Sequence, residues 1–151
     1  MAAVARLRCD GRGLAAAALL VTLAGCTSGG EVPQIERRAG LGCVDDSRQC
    51  IEQRQAALRT MMSDRERRWV REPVTPEAYA SGVRLFAFKT RKKDLTCEEL
   101  AVGRREADAG PGTLRGPGGA GLTPAQVSRG AMLSTEVAKE LATEMQRRCR
   151  A

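Results

Sequence analysis

The chain has 151 residues, with 25 Lys+Arg against 18 Asp+Glu, a formal net charge of +7 and no histidine. That length accommodates one compact domain with a tether rather than two domains. Without histidine there is no Ser-His-Asp triad, no Cys-His pair, no His-ligated zinc and no histidine pH switch. Hydrophobic residues make up 42% of the chain, an ordinary share that excludes disorder throughout.

Residues 1–12 carry Arg6, Arg8 and Arg12 against the single acid Asp10. An apolar run follows at residues 14–23, broken only by Thr22, and leads into Ala24, Gly25 and Cys26. A basic start, an apolar run of about 7–15 residues and a small-residue cleavage site make a secretory signal. The run is too short to cross a bilayer, which takes about 20 residues.

The motif Leu23-Ala24-Gly25-Cys26 resembles the lipobox of bacterial lipoproteins. The resemblance covers residues 1–26 and implies cleavage before Cys26, a diacylglycerol on its thiol and an acyl chain on its new amine, with palmitate as a typical fatty acid. Two or more chains anchor a protein stably where one does not. Thr27, rather than Asp, follows the cysteine, which implies sorting to the outer membrane, facing the periplasm. The domain organisation expected is a signal peptide over residues 1–25, the lipidated cysteine and a flexible tether over 26–42, and a helical domain over 43–151. Processing removes three of the 25 basic and one of the 18 acidic residues and leaves a net charge of +5.

Cys9 leaves with the signal and Cys26 takes the lipid, so Cys43, Cys50, Cys97 and Cys149 remain. In an oxidising compartment they read as two disulfides, for which three pairings exist. No C-x-x-C motif and no histidine support a metal site.

Asp45-Asp46-Ser47 supplies helix-start residues. Apolar positions at Cys50, Ile51, Ala57, Leu58, Met61 and Met62, continuing to Trp69, predict a helix over about 45–70, ended by Pro73. Thr75-Pro76 starts a second helix, with Tyr79, Val83 and Phe86 on one face and Leu85 and Phe88 widening it. A strand over 83–88 is the less favoured reading, since no partner strand is visible. Thr96 and Glu99 match a capping box for a short third helix ending near Gly110. Residues 110–121 hold many glycines and prolines and predict a loop. A final helix over about 124–149 is announced by Thr123, Pro124 and Gln126 and carries an apolar row of Leu133, Val137, Leu141, Met145 and Cys149. The fold class expected is all-α, a small four-helix up-down bundle with two disulfides behind a flexible tether. In an up-down order the starts of helices one and three and the end of helix four share one end. With residues 43 and 50 both helical, about 10 Å would separate them, too far for a bridge. Both bridges are therefore expected to join the start of helix one to Cys97 and Cys149.

Gly116-Pro117-Gly118-Gly119-Ala120-Gly121 fits a nucleotide-binding glycine pattern, but no strand precedes it and Pro117 removes a donor, so no nucleotide cofactor is implied. Two basic clusters, Arg65, Arg67, Arg68 and Arg71, then Lys89, Arg91, Lys92 and Lys93, are candidate surfaces for an envelope protein or for anionic lipid or polymer. Solvated helix faces are the plainer account of both. Nucleic acid is not an expected partner: four aromatics offer no stacking platform. Glu98 and Glu99 point about 100° apart on a helix and cannot face each other as a catalytic pair. The function expected is a non-catalytic interaction or structural module of the cell envelope, without metal or cofactor. The alternative is a small envelope enzyme using carboxylate chemistry on glycan, which needs a buried Glu with raised pKa in a cleft.

The lipobox makes one prediction. Mass spectrometry of the membrane-extracted protein is expected to find a chain starting at an acylated Cys26, and Cys26→Ser should leave an unacylated precursor.

Overall fold

The computed structural model describes residues 40–149. The expected signal peptide, Cys26 and most of the expected tether lie outside the described residues. Among the described residues the protein is all-helical and carries two disulfides. Helix α1 spans Arg48–Ser63, α2 Pro76–Ser81, α3 Val83–Arg91, α4 Cys97–Arg115 and α5 Pro124–Arg148; short 3-10 turns occupy Arg68–Arg71 and Pro117–Gly119.

Helix α1 starts where Ser47 Oγ accepts from the Cys50 amide. It stops at Ser63, short of the expected end, because Asp64 draws the backbone into a turn: its carboxylate accepts from the amides of Glu66 and Arg68. Arg67 then adopts a left-handed φ of 52°, a conformation that costs a non-glycine residue energy. Its side chain offsets that cost by gripping both carboxylate oxygens of Glu99 at 2.9 and 3.0 Å. The 3-10 turn that follows buries Trp69 and Val70. Trp69 thus reaches the core, but not as part of α1.

The second expected helix is two helices. Thr75 caps α2 and Pro76 opens it, as the sequence implies. Gly82, at φ 72°, ends α2 and begins α3, and a Cβ there would run into Leu133. This break resets the register. Arg84, Leu85, Ala87 and Phe88 turn inward, whereas Phe86, expected on the apolar face, is 46% exposed. The strand reading of 83–88 does not hold, since α3 covers those residues.

Helix α4 carries the expected capping box between Thr96 and Glu99 but does not stop near Gly110. It runs on through Pro111 to Arg115, so much of the expected loop is helix. Pro111 cannot donate to the helix ladder, yet Gly116 N–H still reaches Gly112 O at 3.0 Å. Burial of Leu114, 1% exposed, favours the continuation, worth about 1.5–3 kcal/mol for such a side chain. Helix α5 begins with a second capping box, Thr123 with Gln126.

The helices pack around Trp69, Phe88, Met61, Leu85, Leu95, Leu100, Leu114, Val137 and Leu141. Helices α4 and α5 run antiparallel, with Cys97 at the start of one bonded to Cys149 at the end of the other. Lys89 pairs with Glu136 and Glu140, and Lys92 with Glu140, so α3 runs parallel to α5. Helix α1 also runs parallel to them. Its lead-in touches the start of α5, where Gln126 donates to Val44 O and Arg129 pairs with Asp46. Its end meets the end of α3, where Arg91 donates to Met62 O.

That polarity corrects two expectations. The up-down order fails for α1, because the chain returns through residues 64–75 before starting α2. The pairing is also different: Cys43 bonds to Cys50, and Cys97 to Cys149. Cys43 lies before Ser47, outside the helix, and folds back to within 5.4 Å of Cys50 between Cα atoms. The start of α1 stands at the opposite end of α5 from Cys149, out of reach of the expected bridges. Residues 40–42 of the expected tether are helical, and a Cβ on the buried Gly40 would strike Gln53 and Ala57 of α1.

A Cβ at Gly103 would meet the Phe88 ring, whereas at Gly112 it would meet nothing within 4 Å. Gly103→Val is therefore expected to lower stability by at least about 1–3 kcal/mol through overpacking, while Gly112→Ala gains about 0.5–1 kcal/mol from helix propensity. Urea unfolding curves of the two variants check the contrast.

Candidate functional site

Three large hydrophobic side chains are exposed among the described residues: Ile51, Phe86 and Met132. Two of them meet. Ile51 and Phe86 line a shallow groove of about 270 Å³ with Leu58, Val83 and Leu133. Met132 neighbours Leu133 and lies one turn before Glu136, just as Phe86 lies one turn before Lys89, and Lys89 and Glu136 are paired. Parallel α3 and α5 thus carry Phe86 and Met132 to the same level. The groove is built by the register shift at Gly82, which turns Phe86 outward, and by the polarity of α1, which brings Ile51 beside it.

The rim of the groove is polar. Arg54 and Gln55 of α1 border it. Arg54 is tied to the carbonyls of Cys43 and Asp45 and pairs with Asp46 at 3.7 Å. Further along the outer side of α1, Arg48 and Arg59 are exposed, one on each side of the groove-lining Ile51 and Gln55 in the helix. A neighbouring cleft, lined by Asp46, Arg54, Ser81, Gly82 and Arg129, continues the surface toward the first disulfide.

The basic clusters read from the sequence do not form one cationic face. Arg67 is spent on Glu99. Lys89 and Lys92 are held by Glu136 and Glu140, and Arg91 by Asp94 and the Met62 carbonyl. Arg68 faces Glu66 at 3.5 Å with both side chains exposed, a pair worth little in solvent. Arg65, Arg71 and Lys93 remain exposed. The ion pairs shift the partners as expected. Hydrogen bonds from Lys92, then Lys89, hold the Glu140 carboxyl below its usual value despite some burial. At Glu99 burial pushes upward, but the Thr96 amide and Arg67 outweigh it, and the net shift is down.

The sequence reading overlooked a buried ion pair. Arg84 of α3 and Glu106 of α4, 2% and 8% exposed, meet where Arg84 Nε donates to Glu106 Oε2 at 3.0 Å and Nη2 lies 2.8 Å from the same oxygen. Arg84 Nη2 donates to the Val70 carbonyl, and the guanidinium lies 5.8 Å from the centre of the Phe88 ring. Burial raises the Glu106 carboxyl above its usual pKa, with Arg84 opposing. Burial, reinforced by Glu106, likewise raises the Tyr79 hydroxyl. Within the charged run 104–108 Glu106 looks solvated. A signal was present nonetheless: positions 99, 103, 106, 110 and 114 recur at helical spacing and form the buried stripe of α4. None of the three clefts described on the surface is lined by Glu106.

Among the described residues no cluster of three Cys, His, Asp or Glu side chains could hold a metal ion, and no helix is long and apolar enough to cross a membrane.

Removing one member of a buried pair costs about 3–5 kcal/mol, because the other charge stays buried. Arg84→Met is expected to lose that much at pH 7, and Arg84→Met/Glu106→Leu to be more stable than the single variant. A carboxyl raised in the folded state favours folding at low pH and loses that contribution as pH rises through its folded value. The deficit of Arg84→Met should therefore shrink near pH ~4, where Glu106 is neutral; urea unfolding at both pH values checks it. Compared with known protein families, with curated proteins and with solved structures, the chain matches none.

Proposed function

We propose that this protein is exported, cut before Cys26, and anchored to the bacterial cell envelope by acyl chains on that residue, at the outer membrane facing the periplasm. Its helical domain serves as a non-catalytic interaction module. The apolar groove between α1, α3 and α5 is its docking surface, and the meeting there of the exposed Ile51 and Phe86 carries this reading. Exposed apolar side chains gathered in one patch with a polar rim mark interaction sites. The two disulfides support an oxidising compartment.

The partner is an envelope protein presenting an apolar side chain flanked by acidic residues. Arg48 and Arg59 outnumber the exposed Glu52 along the same side of α1, which suits such a flank. A protein is favoured over anionic lipid or polymer because Arg67, Lys89, Arg91 and Lys92 spend their charge inside the molecule. The glycan-cleaving alternative gains Glu106 as a buried carboxyl with raised pKa. Its carboxylate is bound to Arg84, however, and an acid catalyst needs access to its substrate.

A photoreactive side chain at position 86 tests the reading in intact envelopes, with position 105 on the exposed side of α4 as control. A discrete protein adduct is expected from position 86 alone, and Ile51→Asp, at the other exposed apolar residue of the groove, should reduce it about tenfold. Equal adducts from both positions, or none from position 86, would overturn the docking assignment.

A further inference from the structure

The two disulfides sit in unlike surroundings. Cys97 begins α4 with Glu98 and Glu99 in the same first turn, and carboxylates disfavour a thiolate nearby. Its partner Cys149 ends α5, where Arg148 binds the carbonyls of Lys92, Lys93 and Leu95. That bridge fastens two helices already packed along their length, so its sulfurs stay close even when reduced.

Both bridges place a cysteine in the first turn of a helix, Cys97 in α4 and Cys50 in α1, and Cys43–Cys50 differs in the charge beside it and in what holds its other sulfur. Cys50 is the third residue of α1, 1% exposed, with its amide bound to Ser47 Oγ. The Arg54 guanidinium, one turn on, donates to Cys50 Sγ at 3.8 Å. A helix N-terminus and an adjacent guanidinium both stabilise a thiolate. Asp46 lies 3.7 Å from Arg54, but it is largely exposed and shares its charge with Arg129 of α5. Asp45 turns its carboxylate to the Ser47 amide. Cys43 is only half-buried and sits on the non-helical lead-in, free of the α1 ladder.

We infer that Cys43–Cys50 is a thiol-exchange-active disulfide, with thiols as its substrate class, while Cys97–Cys149 is structural. An incoming thiolate attacks Cys43 Sγ, the Cys43–Cys50 bond breaks, and the electron pair leaves on Cys50 Sγ as a thiolate beside Arg54. A second thiol then attacks the mixed disulfide at the substrate sulfur. Cys43 departs as a thiolate and takes up a proton, so two substrate thiols are oxidised to a disulfide and the protein pair is reduced. Arg54, which donates to Cys50 Sγ, also lines the cleft that adjoins the docking groove, but the exchange chemistry stands whether or not a partner uses that groove.

Titration of the full oxidised protein with glutathione redox buffers, followed by acid quench, alkylation and peptide mapping, tests the inference. Cys43–Cys50 is expected to open at a reduced-to-oxidised glutathione ratio about tenfold or more below that needed for Cys97–Cys149. Cys50→Ser should trap glutathione on Cys43. In Cys43→Ser, thiolate absorbance at 240 nm should show Cys50 titrating below the ordinary thiol value of about 8.5. Arg54→Gln should raise that value and Arg54→Lys restore it, which a merely loop-holding role for Arg54 would not do. Simultaneous opening of both bridges, earlier opening of Cys97–Cys149, or a Cys50 titration at or above ~8.5 that ignores Arg54 would overturn the assignment.

Discussion

The fold depends on one buried cation. Arg84 enters the core on α3 and must be neutralised there, since an unpaired buried charge is not tolerated. Glu106 of α4 supplies the counter-charge and the Val70 carbonyl a further acceptor. One guanidinium therefore ties together α3, α4 and the 3-10 turn after α1. The same turn places Trp69 edge-on against Phe88, with ring centres 4.8 Å apart, directly beside the ion pair. The ion pair and the aromatic core thus pack against each other.

Around that centre, small residues set the distances between helices. Gly103 lets the Phe88 ring lie on α4, and Gly110 admits Ser134 of α5 two turns on. Gly130 of α5 lies under Leu114 and against the backbone of α2. Surface ion pairs then fix the relative level of the helices more than they stabilise them. The Lys89 and Lys92 pairs to Glu136 and Glu140 hold α3 in step with α5. That alignment brings Phe86 and Leu133 to the same groove.

The position of α1 links the fold to the groove and the first disulfide. The turn at Asp64 and the strained Arg67 send the chain back across the molecule, so that α1 runs parallel to α3 and α5. This leaves Ile51 at the groove and Cys43–Cys50 at the opposite end of α5 from Cys97–Cys149. The apolar groove and the first disulfide are consequences of a single return crossing, and Arg54 borders both.

Local chemistry was legible in the sequence. Ser47, Thr75, Thr96 and Thr123 were all readable as helix starts, because capping acts within three or four residues and needs no distant partner. The long apolar row of α5 was readable for the same reason, as was the set of cysteines that pair. Tertiary structure alone decided the rest. Whether α4 runs through Pro111 depends on what Leu114 can bury against. Whether Phe86 or Arg84 faces inward depends on Gly82 breaking the register and on Glu106 waiting across the interface. Which cysteines bond depends on the direction of α1, set by contacts some thirty residues away between Arg67 and Glu99. Periodicity reports how a segment satisfies itself; it carries no information about which neighbour will meet it or from which direction.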